Sequence, residues 1–224
     1  MEKYDRIIFD FDDTIWSRNS NDIDCSIYNA KFIKNNLDDK SIIISGNSYA
    51  SIDDKLSSVG IKFKEVWADA NSTLYKYGEK FGVLSDLIIS KYNIDIILKS
   101  ISNLTSNIKP QVIGESNIKL RPIESDDFRN FLVDELNYSI FPSLNIKDCI
   151  AKKTGKTTVD ILSIYNSKTA VYYYNNLSEY KTLYIGDEID SGNDIDIANL
   201  CTRKLKVSSV YETKAILDCF GGKL

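Results

Sequence analysis

The chain of 224 residues carries 28 Lys and Arg against 32 Asp and Glu, a net charge of −4, and its lysines are scattered; this excludes the dense basic patch that nucleic acid or an anionic lipid surface selects. Its hydrophobic fraction of 43% supplies enough apolar material for one large domain, or for a core with a smaller one inserted. Histidine is absent, which removes Ser-His-Asp and Cys-His nucleophile pairs, H-E-x-x-H zinc sites and phosphohistidine chemistry, and leaves acid–base work to carboxylates, lysine or tyrosine.

In chain order, residues 5–11 read as a buried strand, and 24–36 as a helix with Ile27, Ala30, Ile33 and Leu37 on one face. Ile42-Ile43-Ile44 predicts a second strand, which breaks at Ser45-Gly46-Asn47-Ser48 and gives way to a helix reaching about Val59. Strand, turn and helix in that order form the βα unit of a parallel sheet, hence an α/β fold. Short strands are expected at 63–68 and 73–77, around Asn71-Ser72. From Gly78 the character changes. An apolar-periodic segment from Leu84 to Ile101 leads to a polar stretch with Pro110, a strand from Ile118 to Ile123 and a helix from Asp126 to Tyr138. Cys149 to Lys153 and Thr157 to Ile164 then read as a hairpin. From Ser167 the alternation returns: helix 168–177, strand Thr182 to Ile185, a loop from Gly186 to Asp194, and a helix through Leu200. The middle of the chain reads as an insertion.

Cys25, Cys149, Cys201 and Cys219 lie far apart without a C-x-x-C pair, the pattern of reduced thiols rather than of disulfides or zinc ligands. No stretch approaches about 18 consecutive apolar residues, and the N-terminus shows no apolar signal region. The expected setting is the cytoplasm, with small molecules rather than membrane or nucleic acid as partners. Oligomeric state is not legible.

The chemistry concentrates at Ile7-Ile8-Phe9-Asp10-Phe11-Asp12-Asp13-Thr14, an apolar strand that ends in alternating carboxylates. Two aspartates at a buried strand tip need charge compensation, which a divalent cation together with a phosphoryl group would provide. Asp10 and Asp12 share a face on a strand, so one can attack phosphorus while the other handles the proton. Taken singly, each candidate has a plain structural explanation: an Asp-rich turn, Ser45 as a helix cap, Lys168 as a solvated helix-start lysine, and Asp187 to Asp194 as an acidic turn. Their joint order is what carries information.

That order resembles the haloacid dehalogenase superfamily of phosphohydrolases. Asp10-Phe11-Asp12-Asp13-Thr14 is similar to the first motif, D-x-D-x-T, with Asp13 where glycine is frequent, and Ile44-Ser45-Gly46 is similar to the second. Lys168 stands for the third, and Leu183-Tyr184-Ile185-Gly186-Asp187 with Gly192-Asn193-Asp194 for the fourth. Two stretches resemble the borders of a cap inserted after the second motif, as in sugar-phosphate phosphatases and phosphomannomutases. They are Glu65 to Gly78, with Ser72 in place of a usual glycine, and Val159 to Lys168, with Asn166 in place of another. Asparagine tolerates a left-handed backbone.

The resemblance implies a Rossmann-like parallel-sheet core, residues 1–77 and 166–224, with helices on both faces, and an inserted α+β cap, residues 78–165, that sets specificity. It further implies a magnesium-dependent phosphatase acting on a small phosphomonoester, a sugar phosphate or related polyol or amino-alcohol phosphate, with surface-polysaccharide synthesis as the expected setting. Asp10 would be the nucleophile forming an aspartyl-phosphate, and Asp12 the general acid and base. Asp10, the Asp12 backbone carbonyl and Asp187 would hold Mg2+, with Asp194 in support; Asp187 is favoured over Asp194 as the direct ligand. Ser45, Gly46 and Asn47 would bind phosphate at a helix start, with Lys168 neutralising the transferring group. Lys119, Arg121, Lys152, Lys153 and Lys156 are the candidate cap contacts. The alternatives are a phosphomannomutase-like phosphosugar mutase and a binding protein that has lost turnover. Gly155-Lys156-Thr157 is no P-loop, since position 150 is Ile where Gly is required.

Overall fold

The structure is a computed structural model that describes residues 3–84, 89–104, 108–113, 117–154, 157–190 and 194–220. In chain order the elements are β1 (Arg6–Asp10), α1 (Ile23–Asn36), β2 (Ser41–Ile44), α2 (Tyr49–Ser57), β3 (Val66–Ala68), β4 (Thr73–Lys76), β5 (Glu79–Val83), α3 (Lys91–Leu104), β6 (Lys109–Ile113), β7 (Asn117–Arg121), α4 (Asp126–Glu135), α5 (Phe141–Ser143), β8 (Cys149–Thr154), β9 (Thr158–Ser163), α6 (Lys168–Tyr174), β10 (Thr182–Gly186), α7 (Ile195–Leu200), β11 (Arg203–Lys206) and α8 (Val210–Phe220). The chain divides into two compact units, Met1–Val83 with Ser167–Leu224, and Leu84–Asn166.

The first unit is built on a seven-stranded sheet of order β11-β10-β1-β2-β3-β4-β5. Its first five strands are parallel, and β4 and β5 run antiparallel at one edge. Central β1 is covered on both faces, so Ile7, Ile8 and Phe9 are all fully buried and the strand shows an unbroken apolar run instead of alternation. Each such side chain contributes roughly 1.5–3 kcal/mol by leaving water. One face packs Ile7, Phe9, Ile43, Leu183 and Ile185 with residues of α1, α2 and α8, such as Ile33, Ile52 and Leu217. The other meets α6, where the Tyr174 ring sits edge-on to Trp67 at 5.1 Å. The α/β expectation, with helices on both faces, is met. β5 pairs with β4, so this unit's sheet runs past residue 77 to Val83.

The second unit is a four-stranded antiparallel sheet of order β6-β7-β9-β8. Ile118, Leu120, Val159, Ile161 and Ala151 face Ile94, Ile97, Ile101, Leu132 and Leu136 in its core. By strand alternation, Lys119, Arg121, Asp160 and Lys152 share the opposite face.

Several local expectations shift. The first short strand occupies 66–68 rather than 63–68, the helix expected over 168–177 ends at Tyr174, and β5, β6, β11 and α8 were not foreseen. The tip of the β8–β9 hairpin lies outside the described residues. All four cysteines are free. Among the described residues, no helix is long and apolar enough to cross a membrane.

Candidate active site

The site forms where β1, β2 and β10 end together at their C-terminal tips, the edge at which open parallel sheets place ligands. Asp10 closes β1 and is 6% exposed. Beyond it the chain turns sharply: Ile15 and Trp16 both donate backbone N–H groups to the Phe11 carbonyl, and Asp13 takes a φ of 56°. That left-handed position explains the frequent glycine there, and Asp is among the residues that tolerate it. Asp13 is further held by Arg18, whose guanidinium lies 3.0 Å from its carboxylate.

Lys168, the first residue of α6, is 4% exposed, so it is no solvated helix-start lysine. Its ammonium donates to Asp10 Oδ1 at 2.6 Å and to Asp194 Oδ1. Asp194 precedes α7 and is fully buried. It fits against the end of β10 because residue 186 is glycine: a Cβ there would meet Asp194 Oδ2 at 2.6 Å and the Tyr184 ring at 2.7 Å. Asp187 follows directly and is half-buried. One carboxylate oxygen from each of Asp10, Asp187 and Asp194 lies within 4.8 Å of the others.

This grouping is electrostatically unfavourable by itself. Burial, then Asp194 and Glu188, push the Asp187 carboxyl up to about 6. Burial likewise lifts Asp10, with Asp194 and Asp12 adding to the effect and Lys168 opposing it. Burial works against the charge on Lys168, yet Asp10, Tyr184 and Asp194 hold its pKa above the usual lysine range. Asp194 Oδ2 has no hydrogen-bond partner among the described residues. Hard carboxylate oxygens, an excess of negative charge over one ammonium and an unsatisfied buried oxygen are what a magnesium ion would relieve, so the donor set fits that ion. Both Asp187 and Asp194 belong to the group.

The Asp12 carboxylate is held apart from this group, at a second focus. Asp12 Oδ2 accepts from Asn47 Nδ2 at 2.6 Å and from Ser45 Oγ at 3.2 Å, and Oδ1 accepts from Lys55 Nζ at 3.2 Å. Ser45 Oγ also accepts the Asn47 N–H at 3.1 Å, so that amide is engaged before any ligand arrives. Helix α2 starts only at Tyr49, capped by Ser48, and a Cβ on Gly46 would meet nothing within 4 Å, which leaves open space beside its backbone.

Sequence reasoning missed Lys55 and Tyr184. The signal for Lys55 is its place on the buried stripe of α2, between Ile52 and Leu56, where an apolar residue is the norm. Tyr184 is fully buried; burial raises its hydroxyl, and Asp194 and Asp10 add to this against Lys168. No periodicity could have shown that a strand tyrosine points at carboxylates.

The left-handed backbone near the second motif falls on Asp69, Ala70 and Asn71, with φ of 55°, 56° and 66°, so Ser72 needs no glycine. Asn166 does not take a positive φ, which corrects the expectation drawn from its glycine-like position.

In the second unit Lys119 and Lys152 both stand opposite Asp160 across the sheet, and Arg121 donates to Gln111 at 3.0 Å. Lys153 points elsewhere, to Asp126 of α4 at 3.3 Å. Lys156, Gly192 and Asn193 lie outside the described residues.

No family model matches the chain, and no curated protein matches it by sequence. Solved structures do match. Sucrose-phosphatase from Synechocystis sp. PCC6803, solved with sucrose and phosphate, gives a TM-score of 0.63 at 16% identity over 96% of this chain and 98% of its own. Trehalose-6-phosphate phosphatase from Aspergillus fumigatus gives 0.59 at 10% identity, over 99% and 94%. The IMP-nucleotidase of Plasmodium falciparum, in an IMP-bound mutant, gives 0.62 at 17% identity, over 96% and 67%. This chain shares the fold of these two phosphatases and of the nucleotidase.

Proposed function

We propose that this protein is a magnesium-dependent phosphatase that hydrolyses a small phosphorylated metabolite through an aspartyl-phosphate on Asp10. The observation that carries the reading is the convergence of Asp10, Asp187 and Asp194 within 4.8 Å, with Lys168 bonded to the first and last and Asp12 tethered separately beside them.

A phosphomonoester is anionic, so a carboxylate can reach phosphorus only where the phosphoryl oxygens are neutralised. Magnesium, held by Asp10, Asp187 and Asp194 with the Asp12 carbonyl, would supply most of that neutralisation and orient the phosphoryl group. Lys168 supplies the rest as a compact cation beside the nucleophile. An Asp10 oxygen forms the new bond to phosphorus as the ester P–O bond breaks, and the departing oxygen takes a proton from Asp12. Asp12 then removes a proton from water, whose oxygen attacks the same phosphorus and releases Asp10. Ser45 and the open backbone at Gly46 would receive phosphoryl oxygens, and Asn47 would serve through Asp12.

The unit inserted between the second and third motifs is assigned the role of cap. Lys119, Arg121 and Lys152 share one face with buried Asp160, a combination suited to an anionic or polyhydroxylated leaving group, whereas Lys153 is committed to α4. The sucrose- and trehalose-phosphate phosphatases among the matched structures favour a sugar phosphate. Phosphate release should be measured across a panel of sugar, polyol and nucleoside phosphates, with magnesium or a chelator, beside Asp10→Asn. The reading expects release that needs both the metal and Asp10. Isomerisation of a hexose phosphate without release would instead indicate a mutase.

A further inference from the structure

Asp12 is held by three donors, from the end of β2, the following loop and the last turn of α2, and only the last is a cation. We propose that Lys55 is a positioning residue for leaving-group protonation, fixing the Asp12 carboxyl so that its proton reaches the departing oxygen. The inference rests on the phosphatase reading above and deepens it.

Ser45 and Asn47 both hold Oδ2, which pins one oxygen and leaves the carboxyl free to swing about it. Lys55 takes the other oxygen and removes that freedom. The lysine is itself doubly anchored. Its stem lies on the buried stripe of α2, and its ammonium sits 5.2 Å from the centre of the Phe11 ring, a fully buried side chain stacked on Trp16. The pair is largely buried, with the Lys55 and Asp12 side chains 27% and 9% exposed, so removing the ammonium also costs stability, and the comparison of substrates below separates that cost from the positioning role. The cation bonded to the nucleophile Asp10 is Lys168, not Lys55.

General acids typically contribute 10²- to 10⁴-fold, and only where the departing oxygen needs a proton. 4-Nitrophenolate leaves without one, whereas a primary alkoxide does not. The test is kcat/KM of the full chain with magnesium, on 4-nitrophenyl phosphate and on a primary alkyl phosphate, for wild type, Lys55→Met, Lys55→Gln and Lys55→Arg. Thermal melts select variants that remain folded. The expected result is a loss of roughly tenfold on the alkyl substrate and less than about twofold on the aryl one for Met and Gln, with Arg recovering most of it. Equal losses on both substrates, or none on either, would overturn the role of Lys55 while leaving the phosphatase reading standing. A wild type inert on both, and on the wider panel, would remove the phosphatase reading and this inference with it.

Discussion

Lys168 Nζ lies 2.6 Å from Asp10 Oδ1, a contact between residues 158 positions apart in a setting that excludes almost all water. Removing one partner of such a pair strands a buried charge, which typically costs about 3–5 kcal/mol.

Lys168→Met should therefore lower the stability of the metal-free protein by about 3 kcal/mol, since Asp10 and Asp194 lose their common cation. Added magnesium should restore part of the loss by supplying positive charge to the same carboxylates, while phosphate release stays abolished. Denaturant unfolding with chelator and with magnesium checks both halves. Unchanged metal-free stability would contradict the ion-pair account.

Asp187 is raised to about 6 by burial and by like charges. Asp187→Asn should thus leave the metal-free protein as stable as wild type or more so, yet erase its stabilisation by magnesium. In the wild type that gain should be about 2.7 kcal/mol when the metal is at 100 times its Kd. Thermal unfolding across a magnesium titration is the measurement, and a full gain in the variant would remove Asp187 from the ligand set.

Asp160 gives a pH prediction within the second unit. Burial raises its carboxyl, with Lys119 the largest opposing influence, and Oδ1 has no hydrogen-bond partner among the described residues. A folded pKa above the unfolded value of about 3.9 means that its favourable contribution is complete below about pH 4 and is lost as pH rises through the folded pKa. Asp160→Asn should accordingly be more stable than wild type at pH 7, by about 1 kcal/mol, with the gap closing in acid. Urea unfolding at pH 7 and pH 4 tests this; a gap that widens in acid would contradict it.

The central strands and the site carboxylates were legible because burial and charge conflict visibly in sequence: Ile7-Ile8-Phe9 ends in Asp10, and Leu183-Tyr184-Ile185 in Gly186-Asp187. Three strands were not, and β5, β6 and β11 are all edge strands. Edges are kept from pairing with other chains by charge and proline, so Arg203-Lys204-Leu205-Lys206 and the Pro110 segment carry no strand-like apolar run. At the site, Lys55 was hidden for a different reason. Its role depends on a turn of α2 passing beside the tip of β1, a tertiary fact that helical spacing narrows to a stripe but does not aim.

The most direct test of the account is to quench the working protein in acid during turnover and map the phosphoryl group on the chain. Reduction with borohydride, which converts an aspartyl-phosphate to homoserine, should mark Asp10 and no other carboxylate, and Asp10→Asn should neither be marked nor release phosphate. Label at Asp12, Asp187 or Asp194, or undiminished turnover in Asp10→Asn, would contradict it.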